Sequence, residues 1–150
     1  MSRASAERVI VGASAAEAER LWCDTARWPE FIDGLERVES ADPEFPRPGS
    51  VVAWRSFPAG RGQVRERVVE YLPGSLVASR VEDDYVTAEQ QVTFGGEPGG
   101  ARVALELDYE IRKRGPFTAL TDLLFVRRAQ ADSLRRTLAG LEQAMGGRPA

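Results

Sequence analysis

The clearest pattern in this chain is an alternation of apolar and polar side chains about two thirds of the way along it. The alternating apolar residues are Val103, Leu105, Leu107, Tyr109 and Ile111. Successive side chains of a β-strand point to opposite faces. The pattern therefore predicts a strand over residues 101–113 with one buried face and one face in water.

Shorter runs rich in β-branched residues precede this strand and are separated by turn residues. They predict six further strands over residues 7–12, 35–40, 50–57, 63–72, 75–82 and 85–94. From residue 50 onward the connections are short Pro-, Gly- or Asp-containing turns. Strands joined this closely pair antiparallel, because a parallel pair needs a long crossover. We expect an antiparallel sheet of about seven strands.

Two short helices are predicted between the first two strands. Ser14 and Glu17 have the spacing of a capping box, in which each side chain bonds a free backbone N–H of the first helical turn. The first helix is expected from Ala15 to about Cys23. Asp24 is expected to cap the second helix, and Gly34 to end it.

A long helix is predicted after the last strand, over about residues 116–145, with Gly115-Pro116 at its start. Its apolar residues recur at spacings of three, four and seven, which forms one continuous stripe. The stripe consists of Phe117, Leu120, Leu124, Ala131, Leu134, Leu138, Leu141 and Met145. Residues 146–150 are expected to form a short disordered tail.

Composition limits the possible classes of function. The chain has 150 residues, which predicts a single domain over residues 1–150. The formal net charge is −3 with both signs interspersed, which argues against a nucleic-acid partner. A single cysteine and the lack of a signal-like or membrane-spanning apolar run predict a cytoplasmic protein without an integral membrane segment. Monomer and homodimer both remain possible.

Histidine is absent from the chain. This excludes a histidine-based catalytic triad or general base and the commonest metal ligand. The lone Cys23 has no histidine to activate it, so we interpret it as a small buried residue. We expect no metal site and no cofactor.

Three stretches resemble a known family. Ala13-Ser14-Ala15-Ala16-Glu17 with Leu21-Trp22-Cys23-Asp24 and Arg27-Trp28-Pro29-Glu30-Phe31 is similar to the opening signature of the polyketide cyclase/dehydrase and lipid-transport branch of the START-like (SRPBCC, Bet v 1-like) superfamily. Residues 69–76 resemble its central strand-turn-strand, and residues 134–141 resemble its final helix. The resemblance covers nearly the whole chain. One departure is Glu19, at a position where the family often has an aromatic residue.

The resemblance implies an α+β helix-grip fold, in which a curved antiparallel sheet and two short helices enclose a cavity with the long C-terminal helix. Cavities of this kind are mostly apolar with a few polar groups. The residues expected to line it and to bind a ligand are Trp54, Gln90, Val92, Phe94, Leu105, Leu107, Tyr109, Phe117, Leu120 and Leu124. The alternative is that these residues simply form the core.

Two polar residues in the predicted strands bear on chemistry. Alternation through Val92 and Phe94 places Gln90 on the buried face, where its amide needs a partner: a ligand, or Tyr109. Glu66 has two possible orientations. An inward carboxyl would have a raised pKa and could act as acid or base, but an exposed carboxylate paired with a neighbouring arginine is the favoured interpretation.

Three functions fit these observations. The favoured hypothesis is binding or carriage of a small hydrophobic molecule, such as a lipid, a quinone or a polyketide-like aromatic, without catalysis. The alternative is a polyketide cyclase or dehydratase that uses polar residues of the cavity. A further alternative is a protein-interaction module without a small ligand.

Overall fold

The computed structural model describes residues 2–112 and 120–146, and the side chains of residues 120–125 are outside the description. The elements in chain order are β1 (Ser2–Val11), α1 (Ala15–Trp22), a 3₁₀ helix (Thr25–Glu30), β2 (Leu35–Ala41), β3 (Val51–Ser56), β4 (Gln63–Leu72), β5 (Leu76–Glu82), β6 (Val86–Glu97), β7 (Gly100–Ile111) and α2 (Leu120–Ala144).

The seven strands form one antiparallel sheet in the order β1-β7-β6-β5-β4-β3-β2. Every neighbouring pair except β1–β7 consists of strands that follow each other in the sequence, as the short turns predicted. The sheet curves, with α1, the 3₁₀ helix and α2 over its concave face. This is the helix-grip α+β architecture that was expected.

Two strands extend beyond their predicted ends. β1 begins at Ser2, five residues before the predicted start at Glu7, because it pairs with β7 along its whole length. β6 continues through Gly95-Gly96 to Glu97, and only a tight turn separates it from β7. These two glycines, which follow the predicted strand end at residue 94, therefore lie within the ladder, where they pair with β7.

Helix α1 begins as its capping box predicted. The Glu17 backbone N–H donates to Ser14 Oγ at 3.1 Å, and the Ser14 backbone N–H donates to a Glu17 carboxylate oxygen at 3.3 Å. Asp24 precedes the 3₁₀ helix, but its side chain makes no capping hydrogen bond, so that expectation was wrong. Gly34 follows with φ +80°, a left-handed conformation that glycine adopts without strain.

Helix α2 packs against β1, α1 and the 3₁₀ helix. Leu134, Leu138 and Leu141 are all buried, which confirms the predicted 3- and 4-residue spacing over the second half of the helix. The predicted helix start at Gly115-Pro116 and most of the predicted tail lie outside the described residues. No helix in the described part of the chain is long and apolar enough to cross a membrane.

Candidate functional site

The register of the sheet brings two polar side chains together on its concave face. Glu66 on β4 lies opposite Val81 of β5, and Gln90 on β6 lies opposite Ser79 of β5. Val81 and Ser79 are two residues apart on β5. Side chains two residues apart on a strand share a face. Ser79 is small and buried, so Glu66 and Gln90 can approach each other above β5.

Glu66 is buried, with 5% of its surface exposed. Its Oε2 accepts a hydrogen bond of 2.7 Å from Trp54 Nε1. Burial raises the pKa of the Glu66 carboxyl above its ordinary value, while Trp54, the Arg61 charge and the Gln90 amide act in the opposite direction. The favoured interpretation of Glu66 as an exposed carboxylate was therefore wrong. Val64 and Val68 flank it in the strand, are buried as well, and fix the inward phase of β4.

Arg61 closes one side of this cluster from the β3–β4 loop. Its guanidinium carbon lies 5.2 Å from the centroid of the Trp54 ring, within the range of a cation–π contact. Its Nε donates to Asp83 Oδ2 at 2.7 Å. The other Asp83 carboxylate oxygen accepts from two backbone N–H groups at 2.8 Å. Asp83 thus holds Arg61 in place from a buried position at the end of β5.

Polar contacts with α2 form the opposite side. The Asp33 backbone N–H donates to Thr137 Oγ1 at 3.0 Å, and the Asp33 carboxylate accepts from Ser133 Oγ at 2.8 Å. Arg136 adds an ion pair with Asp33 at 3.0 Å. These bonds tie the loop before β2 to the middle of α2, beside the Glu66 cluster.

A cavity of about 30 Å³ lies between the concave face and α2. It is large enough for an ordered water and far below the roughly 300–1,000 Å³ of sites that hold drug-sized ligands. Apolar and polar side chains share its lining. The described residues that line it are Trp22, Ile32, Asp33, Trp54, Arg61, Glu66, Gln90, Leu105, Leu107, Gln130, Ser133, Leu134 and Thr137.

Four of the residues predicted to bind a ligand line this cavity: Trp54, Gln90, Leu105 and Leu107. Gln90 is only partly buried, whereas the other three are buried. Among the remaining predicted residues, Val92, Phe94 and Tyr109 are buried on the concave face away from the cavity lining. Phe117 and the side chains of Leu120 and Leu124 lie outside the described residues.

Tyr109 has an unusual environment for a buried phenol. It is 2% exposed, and its hydroxyl has no hydrogen-bond partner among the described residues. The sequence allowed a hydrogen bond between Gln90 and Tyr109. The Gln90 amide instead interacts with the Glu66 carboxyl, where its hydrogen bond lowers the pKa. Tyr109 lies in the same cross-strand row as Glu66, with Val81 and Ala88 between them.

Sequence reasoning missed most of the polar lining. Arg61 belongs to a turn rich in Gly and Pro, and Ser133 and Thr137 belong to a helix, so none of the three carries a periodic signal that indicates a shared site. Glu66 did carry one: the alternation Val64-Glu66-Val68 is the inward phase. Giving that alternation more weight than the usual exposure of glutamate would have identified Glu66.

Two other ionisable side chains, Cys23 and Glu19, do not belong to the cavity lining. Burial raises the pKa of the Cys23 thiol to about 12, with a further contribution from the Glu19 charge. Glu19, in place of the expected aromatic residue, accepts a 2.8 Å hydrogen bond from the Tyr71 hydroxyl and another from the Gly74 backbone. Within the described residues, no group of three or more His, Cys, Asp or Glu side chains is placed to hold a metal ion.

Solved structures with the same fold include three that cover nearly all of this chain. A START superfamily protein from Mycobacterium smegmatis has a TM-score of 0.75 at 15% identity, with 97% of each chain covered. TTHA0849 from Thermus thermophilus has a TM-score of 0.73 at 21% identity, covering 99% of this chain and 100% of that one. The di-domain ARO/CYC StfQ from the steffimycin biosynthetic pathway has a TM-score of 0.74 at 16% identity, covering 94% of this chain and 50% of that one. At these identities the likeness concerns the fold.

Comparison by sequence gives the family. No curated protein sequence matches this chain. The family model described as "Polyketide cyclase / dehydrase and lipid transport" matches residues 1–146. That match covers all the elements described above and agrees with the helix-grip architecture. The chain therefore belongs to the polyketide cyclase/dehydrase and lipid-transport family.

Proposed function

We propose that this protein binds a small, flat or elongated hydrophobic molecule that carries a hydroxyl or carbonyl group, between the concave face of the sheet and α2. The observation that supports the proposal most strongly is the buried Glu66 carboxyl, held by Trp54 beside the Gln90 amide on a mainly apolar face. A buried polar cluster is costly unless its groups are satisfied. One that borders a cavity can orient a ligand's polar group.

The apolar part of the ligand would lie on Leu105 and Leu107 from the sheet and on Leu134 from α2, which together line the cavity. Its polar group would bond the Gln90 amide. In an elongated ligand, a second polar group could reach the Tyr109 hydroxyl, which lies beyond the present cavity lining and has no partner among the described residues. The present cavity is smaller than such a ligand, so uptake requires the lining side chains to move.

The test compares two flat probes that differ in one hydroxyl, naphthalene and 2-naphthol, by fluorescence titration. We expect the wild type to prefer 2-naphthol by about two- to tenfold, the contribution of one hydrogen bond. Gln90→Leu should bind naphthalene equally well or better and should lose the preference. The matched control is Gln91→Leu, because Gln91 is the next residue and is exposed on the opposite face of β6.

Two results would contradict the proposal. The first is a wild type that binds neither probe, in which case the protein-interaction hypothesis takes first place. The second is a Gln90→Leu variant that keeps the same preference as Gln91→Leu. Native mass spectrometry of freshly purified protein is a complementary measurement, since a co-purified small molecule would identify the ligand directly.

A second candidate function is catalysis of a cyclisation or dehydration. The specific observation in its favour is the buried position of the Glu66 carboxyl, whose pKa burial raises above its ordinary value, since a carboxyl group of this kind can donate as well as accept a proton. Catalysis predicts turnover of a labile poly-β-carbonyl compound that Glu66→Gln abolishes while binding persists. Binding without turnover in the wild type would leave the carrier function.

A further inference from the structure

Three arginines meet on the convex face of the sheet, away from the cavity. Arg65 and Arg67 are exposed on β4, and Arg80 is exposed on β5 directly opposite Arg67. We define these residues as the arginine cluster. They line a surface cleft of about 240 Å³ together with Val51 and Glu82. The cluster concentrates positive charge on a chain whose net charge is −3.

Two members of the cluster have no partner within the described part of the protein. Neither Arg65 nor Arg67 makes a hydrogen bond or an ion pair with any described residue. Arg65 faces Glu82 across the ladder, but Glu82 pairs with Arg80 instead, at 3.6 Å. Like charges directly opposite each other destabilise a sheet. The Arg67–Arg80 pair therefore lowers the stability of the sheet. At Arg67, no contact with a described residue offsets this loss.

We propose that the arginine cluster binds a phosphate or diphosphate group of a small soluble ligand. Guanidinium groups present planar forks of donors that match phosphate oxygens. Residues two apart on a strand are separated by about 6.6 Å along its axis, so Arg65 and Arg67 can bond neighbouring oxygens of one diphosphate. Arg80 approaches the same group from the adjacent strand.

The surroundings favour a compact anion over a broad anionic surface. Carboxylates follow the cluster along the convex face in both directions across the sheet. Glu89 lies opposite Arg80 on β6. Asp108 lies opposite Glu89 on β7 and pairs with Arg3, and Glu39 on β2 pairs with Arg55. Glu89, which has no ion-pair partner among the described residues, would repel an extended negative surface, whether an anionic membrane or an acidic protein. A diphosphate in the cleft avoids that repulsion, and the one carboxylate among the described residues that line the cleft, Glu82, is paired with Arg80.

The experiment is isothermal titration calorimetry with sodium pyrophosphate in a phosphate-free buffer of low ionic strength, because salt screens exposed charges. We expect saturable binding at one site. Arg67→Gln should weaken it about tenfold, and Arg67→Lys, which keeps the charge but loses the planar fork, should weaken it less. Arg47→Gln is the matched control. It removes one exposed arginine from the β2–β3 loop, where Arg47 pairs with Glu44, and should bind as the wild type does.

Three outcomes would overturn the proposal: no saturable pyrophosphate binding by the wild type, equal weakening by Arg67→Gln and Arg47→Gln, or sedimentation with phosphatidic acid vesicles that pyrophosphate does not compete away. The last result would identify a lipid surface as the partner. The proposal concerns the face opposite the cavity, so the naphthol titration and the pyrophosphate titration can fail independently.

Discussion

Glu66 is the residue where local pattern and residue type conflict. Glutamate is rarely buried unless it is paired, yet the strand phase carries this side chain inward. Trp54 and Gln90 compensate part of the cost with hydrogen bonds, and Arg61 contributes opposite charge nearby. Burial remains the larger effect, because the pKa of the carboxyl is still raised. The protein therefore retains an acidic group that resists ionisation in its interior.

This raised pKa predicts a pH dependence of stability that arises at Glu66. The carboxyl holds its proton more tightly in the folded state than in the unfolded chain. Its contribution is therefore fully present below the unfolded-state pKa and is lost as pH rises toward the folded-state pKa, at no more than about 1.4 kcal/mol per pH unit. Glu66→Gln should remove this loss, so its free energy of unfolding relative to wild type should increase between pH 4.5 and pH 7.

Urea denaturation at several pH values measures the effect. Glu70→Gln is the control, because Glu70 belongs to the same strand but is exposed, and its difference from the wild type should change little over that range. An equal pH dependence of the two variants would show that the Glu66 carboxyl ionises in the folded state as it does in water.

At the scale of elements, the cavity depends on how closely α2 approaches the 3₁₀ helix and the loop before β2. Gly140 permits that approach: a Cβ added there would lie 3.0 Å from Phe31 Cα and 3.0 Å from the Phe31 carbonyl oxygen. Phe31 packs on Trp22 with ring centroids 5.7 Å apart. The contact thus joins three helical segments, and the Asp33–Thr137 bond fixes it about one turn away on α2.

Gly140→Ala should destabilise the protein although alanine favours helices. The gain in helix propensity is at most about 1 kcal/mol, while overpacking against backbone costs about 1–3 kcal/mol. We expect a net loss in the free energy of unfolding, measured by urea denaturation. In Gly95→Ala, nothing lies within 4 Å of the added Cβ, so that variant should be neutral or slightly stabilised. A stabilised Gly140→Ala would contradict the close packing.

At the scale of the whole molecule, pairing between the first and last strands completes the sheet. β1 pairs with β7 from Ser2↔Tyr109 to Val11↔Gly100, although the two segments are about as far apart in sequence as any two strands. Ala4 is buried opposite Leu107, while Ser5 points to the convex face opposite Glu106. The N-terminal residues therefore contribute to the core next to the cavity wall.

This placement predicts opposite outcomes for the same substitution at adjacent positions. Ala4→Lys would bury an unpaired charge and should cost about 3–5 kcal/mol, which lowers the melting temperature by several degrees or more. Ser5→Lys places the same side chain in water near Glu106 and should be close to neutral. Thermal melts followed by circular dichroism distinguish the two. Similar melting temperatures would show that residues 2–6 contribute nothing to the core.

Periodicity along the chain determined the elements, because strand and helix geometries repeat over a few residues. The alternation on β7, the capping box of α1 and the Leu134–Leu138–Leu141 spacing all indicated their structures correctly. Composition limited the possible chemistry independently of the fold, because a chain without histidine has no imidazole to serve as a base. The cavity residues on the periodic strands, such as Leu105 and Leu107, could be named from the same alternation.

Tertiary structure alone decided which polar groups meet. Glu66, Arg61 and Thr137 come from a strand, a loop and a helix, and no local pattern relates them. Their proximity follows from sheet register and from the approach of α2, which depend on contacts between residues far apart in sequence. The same holds for the arginine cluster, because alternation places Arg65 and Arg67 on one face but only the β4–β5 register sets Arg80 opposite Arg67. Register is a property of paired strands, so a single strand's sequence does not contain it.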